Sequence, residues 1–104
     1  MNNDIEKMIS CHGGKVKYNE FNIDFSVPSS QQSDELSEDL ILAEVGEYIL
    51  DIGWYPGGDP GGVIATSLIK NFDWVQPVLT FADVDYEELK KHISCCLDAA
   101  NKQS

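Results

Sequence analysis

The chain contains no arginine. Its fixed positive charges are seven lysines, set against eighteen carboxylates, for a net charge of −11. A nucleic-acid backbone would be repelled by such a surface, and no guanidinium fork is available to grip a phosphate. Nucleic acid is therefore excluded as a direct partner. No apolar run approaches the ~20 residues of a membrane span, so a membrane role is not expected either. The opening Met1-Asn-Asn-Asp-Ile-Glu lacks the positive and apolar regions of a secretory signal, which makes the cytoplasm the expected location. Cysteines are few and odd in number: Cys11, Cys95 and Cys96. Two of them are adjacent, which does not suit a secreted disulfide framework and does suit reduced thiols.

What is present fits one domain over residues 1–104, with an ordinary apolar fraction of 42%. The organising stretch is Tyr48-Ile-Leu-Asp-Ile-Gly-Trp-Tyr-Pro-Gly-Gly-Asp-Pro-Gly-Gly62. Tyr48, Leu50, Ile52 and Trp54 share one parity, which predicts a strand with one strongly apolar face. Prolines fix φ and glycines permit positive φ, so the loop after Tyr55 reads as a shaped connection into a second strand, Val63–Ile69.

Elsewhere, Ile5, Met8, Ile9 and Cys11 lie at helical spacing, with Gly13-Gly14 as the stop. Phe21, Ile23, Phe25 and Val27 alternate with polar residues and predict a half-buried strand over 20–27. A polar loop at 28–34 is expected to be mobile. From Ser33 a cap, acids at Asp34 and Glu35, an apolar stripe at Leu36, Leu40, Ile41 and Ala43, and Gly46 together predict a helix over 34–45. A competing reading makes residues 40–45 a strand that turns at Gly46-Glu47. Phe72, Trp74 and Val75 are expected to anchor a turn, followed by a strand over 78–82. Asp83 or Asp85 caps a closing helix whose stripe is Tyr86, Leu89, Ile93, Cys96, Leu97 and Ala100, with Glu87 and Lys91 paired one turn apart. Residues 101–104 read as a frayed tail. The sum is an α+β fold: an antiparallel sheet of four to five strands with two to three helices.

Charge is unevenly placed. Residues 34–59 carry eight acids and no base. Asp34, Glu35, Glu38, Asp39, Glu44, Glu47 and Asp51 form either a solvated face or a contact surface for a basic protein. Trp54, Tyr55 and Asp59 belong either to a wide hairpin with Trp54 in the core or to a recognition edge of the kind that anchors interfaces. Catalytic alternatives are weaker. His92 and Cys96 are one helical turn apart and Cys11-His12 lies elsewhere, but no zinc-ligand spacing and no orienting third group accompany them. The glycine loop lacks the lysine and the following helix of a phosphate cradle.

Ile52-Gly-Trp-Tyr-Pro, the following Gly-Asp-Pro-Gly-Gly, and Ile69-Lys-Asn-Phe-Asp-Trp-Val-Gln-Pro77 resemble small bacterial immunity proteins. The similar family is that of polymorphic toxin systems, in particular contact-dependent growth inhibition, and the resemblance covers residues 47–97. It implies a cytosolic antidote that binds one cognate toxin domain, often a nuclease, and blocks its active site or substrate path. It carries no shared functional residues onto this chain. The expected function is thus a non-enzymatic, cofactor-free and monomeric immunity protein against a basic, RNase-type toxin. The alternatives are a thiol- or metal-dependent enzyme using Cys11, His12, His92 and Cys96, or an acidic adaptor for another basic partner.

Overall fold

Tyr48–Tyr55, buried at every position except Asp51 and Tyr55, is the central strand of the protein, and the computed structural model describes it with the rest of residues 2–102. The chain runs α1 (Asn2–Cys11), β1 (Lys15–Asn19), β2 (Ile41–Val45), β3 (Tyr48–Tyr55), β4 (Val63–Lys70), β5 (Leu79–Asp83) and α2 (Tyr86–Lys102). The five strands form one antiparallel sheet in sequence order, a meander with β3 at its centre. Together with the two helices this is an α+β domain.

Both helices cover one face of the sheet. Ile5 and Ile9 of α1, and Leu89, Ile93, Cys96, Leu97 and Ala100 of α2, are fully or almost fully buried against Ala43, Leu50, Ile52, Trp54, Ile64 and Leu68. Cys11 lies outside this stripe and is exposed. The start of α2 is fixed by Asp85, whose carboxylate accepts from the Glu88 N–H at 3.0 Å. Asp83 is not the cap. It accepts from His92 Nδ1–H at 2.8 Å, and the His92 ring stacks on Phe81 with centroids 4.1 Å apart. The surface pairs on this helix are Glu87 with Lys90 and Glu88 with Lys91, one residue closer than the expected Glu87–Lys91 pair. Asn101 and Lys102 remain helical, while the rest of the expected frayed tail lies outside the described residues.

Two expected elements are corrected. Residues 34–45 are not a helix. Ser33–Glu35 form a short 3₁₀ turn, and Ile41–Val45 form β2. Ile41, Ala43 and Val45 enter the core on one parity, and Gly46, at φ 62°, makes the two-residue turn that pairs Val45 with Tyr48. Residues 20–27 are not a strand. Phe21 and Ile23 are buried as expected, but the last ladder rung is Glu20 N–H to Leu40 O at 2.7 Å. Beyond it the chain turns at Asp24, whose side chain accepts from Ser26 N–H and Oγ–H at 2.9 and 2.6 Å. The Gln32 side-chain amide then stands in for a neighbouring strand. It accepts from Asp24 N–H at 2.9 Å and donates to the Asp24 and Val27 carbonyls at 2.8 and 3.0 Å. The 28–34 loop is thereby tied back, and Ser29–Gln31 form a further 3₁₀ turn within it.

Pairing between β2 and β3 continues past the end of β2 through a bulge. Leu40 N–H donates to Ile52 O at 3.0 Å, and Trp54 N–H donates to Ser37 O at 2.8 Å. Glu38 and Asp39 therefore oppose the single residue Gly53. Any Cβ at Gly53 would collide with the Glu38 carbonyl and would lie 3.1 Å from the Tyr55 ring. Gly53→Ala is expected to destabilise the protein by about 2–3 kcal/mol, the scale of a core overpacking. Gly61→Ala, whose Cβ would meet only an ordinary contact with Asp59 at 3.4 Å, should change stability by no more than about 0.5 kcal/mol. Urea unfolding of the two variants measures the contrast, and equal losses would remove the steric account.

Candidate protein-binding face

The sheet face away from the helices is assembled by strand register. Tyr18, Leu42, Asp51, Ser67 and Thr80 are successive cross-strand partners and lie in one row on this face. Asp51 and Tyr55 share parity on β3, with Gly53 between them. The bulge brings Glu38 and Asp39 beside them from the neighbouring chain segment. Sequence spacing alone scatters these residues, and the bulge collects them.

The group is coupled electrostatically. Burial raises the Asp51 carboxyl above its ordinary range, and the Asp39 charge raises it further. The Tyr55 phenol is raised first by burial and then by Asp51, Glu38 and Asp39. Tyr18 is raised first by burial and then by Asp39, Asp51, Tyr55 and Glu20. Two protonated phenols are thus set among four carboxylates. Lys17, on the same strand as Tyr18, lies 3.7 Å from the Glu44 carboxylate. Such an arrangement can accept a lysine or arginine side chain. Carboxylates supply charge-assisted hydrogen bonds, and the tyrosines supply ring faces and neutral polar partners.

The ten residues singled out in the sequence separate accordingly. Glu38, Asp39, Asp51 and Tyr55 come together. Glu44 lies on the same face but is paired with Lys17. Glu47 is in the β2–β3 turn at the opposite end of β3, and Asp34 and Glu35 lie in the second 3₁₀ turn. Trp54 is 3% exposed and belongs to the core. Its indole N–H donates to Asp59 O at 2.6 Å, while the Asp59 carboxylate accepts from Gly61 N–H at 2.8 Å. Asp59 therefore shapes the glycine loop. That loop is also pinned from outside, by Gly58 N–H to Leu36 O at 2.6 Å and Gly57 N–H to the Glu38 carboxylate at 3.3 Å. Tyr18 and Glu20 were missed in the sequence. The available signal is that Tyr18 lies in a short β-prone segment two residues before Glu20, but only register places it in the same cross-strand row as Asp51.

A second departure concerns the β4–β5 connection. Phe72, Trp74 and Val75 do not anchor the turn inward, because they are 70%, 51% and 88% exposed.

The cysteine and histidine residues do not assemble into a site. Cys96 is fully buried and its thiol is pushed up to about 12, chiefly by burial and then by Cys95, so it is protonated and unreactive at neutral pH. His12 Nδ1–H donates to Met8 O at 2.7 Å, and His92 is engaged by Asp83. Among the described residues, no three His, Cys, Asp or Glu side chains are placed to hold a metal ion. A groove of about 120 Å³ between the 23–32 segment and the glycine loop, lined by Ile23, Phe25, Trp54 and Pro60, is well below the ~300 Å³ at which small-molecule sites begin. No helix among the described residues is long and apolar enough to cross a membrane.

Since Asp51 is raised in the folded state, folding favours its protonated form. The native state holds the proton from the ordinary value near 3.8 up to the raised value. Stability therefore falls as pH rises through that window, and the deficit is complete above it. Asp51→Asn should accordingly be more stable than wild type at pH 7, and the difference should close below the ordinary value. Chemical denaturation of both proteins at the two pH values checks this; a difference that persists unchanged in acid would refute it.

Neither a protein-family model, nor a curated protein, nor a solved structure matches this chain.

Proposed function

We propose that this chain is a cytoplasmic immunity protein that binds a cognate, basic, RNase-type toxin domain of a contact-dependent growth inhibition system and blocks its active site or substrate path. The observation that carries the proposal is the cluster of Glu20, Glu38, Asp39 and Asp51 around Tyr18 and Tyr55, on a sheet face away from both helices. A nuclease holds its substrate with lysines and arginines, because the substrate is a polyanion. An acidic face that competes for those cations denies the phosphates their binding site. The motif resemblance over residues 47–97 supports the same reading, and it supplies the link to toxin systems that electrostatics alone does not.

In this proposal the protein acts as a monomer, without a cofactor and without catalysis of its own. A standard interface of ~1,600 Å² in total would take ~800 Å² from this chain, a modest part of its 5684 Å² surface. Complementary charge would mainly accelerate encounter and set orientation. The buried Cys96 thiol and the engaged histidines give no support to a thiol enzyme.

The test is coexpression with the product of the reading frame immediately upstream. That product should be toxic alone, should be neutralised by this chain, and should copurify with it. A harmless product, or one that does not copurify, would remove the immunity reading. In E38K/D39K, both substitutions fall on exposed positions, and association with the toxin at low salt should slow by roughly tenfold or more, with protection of growth lost. Full protection by this variant would remove the acidic-face mechanism.

A further inference from the structure

The loop between β4 and β5 places its apolar side chains in solvent. Phe72, Trp74 and Val75 are joined by Val78 at the loop's exit, itself 39% exposed. The loop is nevertheless held in a definite form. Asp73 N–H donates to Lys70 O at 3.1 Å, Trp74 N–H to Phe72 O at 3.0 Å, and Val78 N–H to Leu68 O at 2.7 Å. The Asp73 carboxylate accepts from Gln76 N–H at 3.3 Å, and Asn71 N–H ties the loop to the β2–β3 turn through Glu47 O at 3.2 Å. Asn71 and Phe72 adopt φ of 53° and 61°. An aromatic residue reaches that region at a cost that glycine would avoid. An unfavourable backbone thus presents an aromatic ring outward, and the core does not use it.

Three kinds of occupant suit exposed aromatics: a second copy, a lipid surface, or another protein. Two copies each carrying −11 repel one another, and so does an anionic lipid surface. A cationic protein is attracted by the same charge. The loop adds its own acid, Asp73, between the two aromatic residues, and its backbone is tied to the backbone of Glu47. Its root lies on the same sheet as the acidic cluster, toward the other end of β3. On the open face, β3 leads from Asp51 to Ile49, which pairs with Ile69 of β4, directly before the loop. Both isoleucines are buried, although neither belongs to the main core. Asp51 and the start of β3 are only ~10 Å apart along the strand.

We infer that the Phe72–Val75 loop is the apolar anchor for the same basic protein partner, an inference that rests on the proposed function. The two regions divide the work. The acidic cluster raises the rate of encounter, and the aromatic loop, once desolvated in the partner's cleft, slows release.

The test uses the full chain and the immobilised product of the upstream reading frame, with association and dissociation rates measured for wild type, F72S/W74S and E38K/D39K. F72S/W74S alters only exposed side chains, and circular dichroism should show an unchanged fold. Its dissociation rate should rise by roughly tenfold or more, with association changed by less than about threefold. E38K/D39K should show the opposite division and a reduced salt dependence. If F72S/W74S leaves dissociation unchanged while E38K/D39K slows association, the loop inference is overturned and the proposed function stands. If wild type does not bind the upstream product, both are overturned. Sedimentation of wild type as a dimer that F72S/W74S abolishes would assign the loop to a second copy. Loop-dependent flotation with phosphatidylcholine vesicles would assign it to lipid. Either result overturns the inference.

Discussion

The contact on which the other features depend is the passage of Leu36–Leu40 along the edge of β3 at Gly53. Two backbone hydrogen bonds flank it, Leu40 to Ile52 and Ser37 to Trp54, with Glu38 lying over a residue that has no side chain. Its consequences spread in both directions. The Leu36 carbonyl reaches Gly58, and the Glu38 carboxylate reaches Gly57, so the bulge helps to fix the glycine loop. Trp54 can then bury its ring while its N–H is satisfied by Asp59. Leu36 and Leu40 are drawn into the core. On the opposite face the same bulge delivers Glu38 and Asp39 to Asp51 and Tyr55. One backbone crossing therefore determines both the end of the core and the composition of the acidic face.

The acidic grouping acts against folding. Burial first, and the neighbouring carboxylates second, raise the proton affinity of the Asp51 carboxyl and of the Tyr18 and Tyr55 phenols. The core on the other face must outweigh this repulsion, since the sheet cannot relax around it. That rigidity suits recognition. A cation arriving between carboxylates already held together meets a site whose ordering cost was met during folding, and its binding relieves repulsion. The Asp83–His92 pair solves the converse problem on the helix side, where a nearly buried carboxylate receives a donor from α2 and the imidazole is clamped on Phe81.

The legible parts of the sequence were those in which local pattern and tertiary role agree. β3 and β4 announced themselves by parity and by the glycine loop, and α2 by its stripe and its Asp85 cap. Residues 34–45 admit both a helix and, over 40–45, the strand that the structure shows, because Leu36, Leu40, Ile41 and Ala43 satisfy helical spacing while Ile41, Ala43 and Val45 equally satisfy alternation. Only the partner strand decides between them, and it is supplied by Tyr48–Ile52 across Gly46. Residues 20–27 alternate because Phe21 and Ile23 are buried, yet burial does not require a ladder, and Gln32 supplies the hydrogen bonds instead. The acidic cluster was half legible. Charge density marked the segment, but the bulge and register decide that Asp39 and Asp51 meet Tyr18 while Glu47 does not. Phe72, Trp74 and Val75 were expected inward on hydrophobicity alone, and a ring held outward has no signature at that level.

The strand parity of β3 separates the core from the proposed binding face. Leu50, Ile52 and Trp54 face the helices, and Asp51 and Tyr55 face away. Side chains on the outward parity can change without opening a cavity beneath the helices, because none of them contributes volume there. The exception is Gly53, which is outward by parity yet fixed by the Glu38 carbonyl. The backbone of the acidic face is thus as constrained as the core, whereas its side chains are not. The β4–β5 loop follows the same logic, since its hydrogen bonds are almost all made by backbone groups and Asp73. A scaffold of this kind keeps its shape while the charges and rings of the proposed contact surfaces are exchanged. That is the physical requirement on any small protein that must match one partner and refuse its relatives.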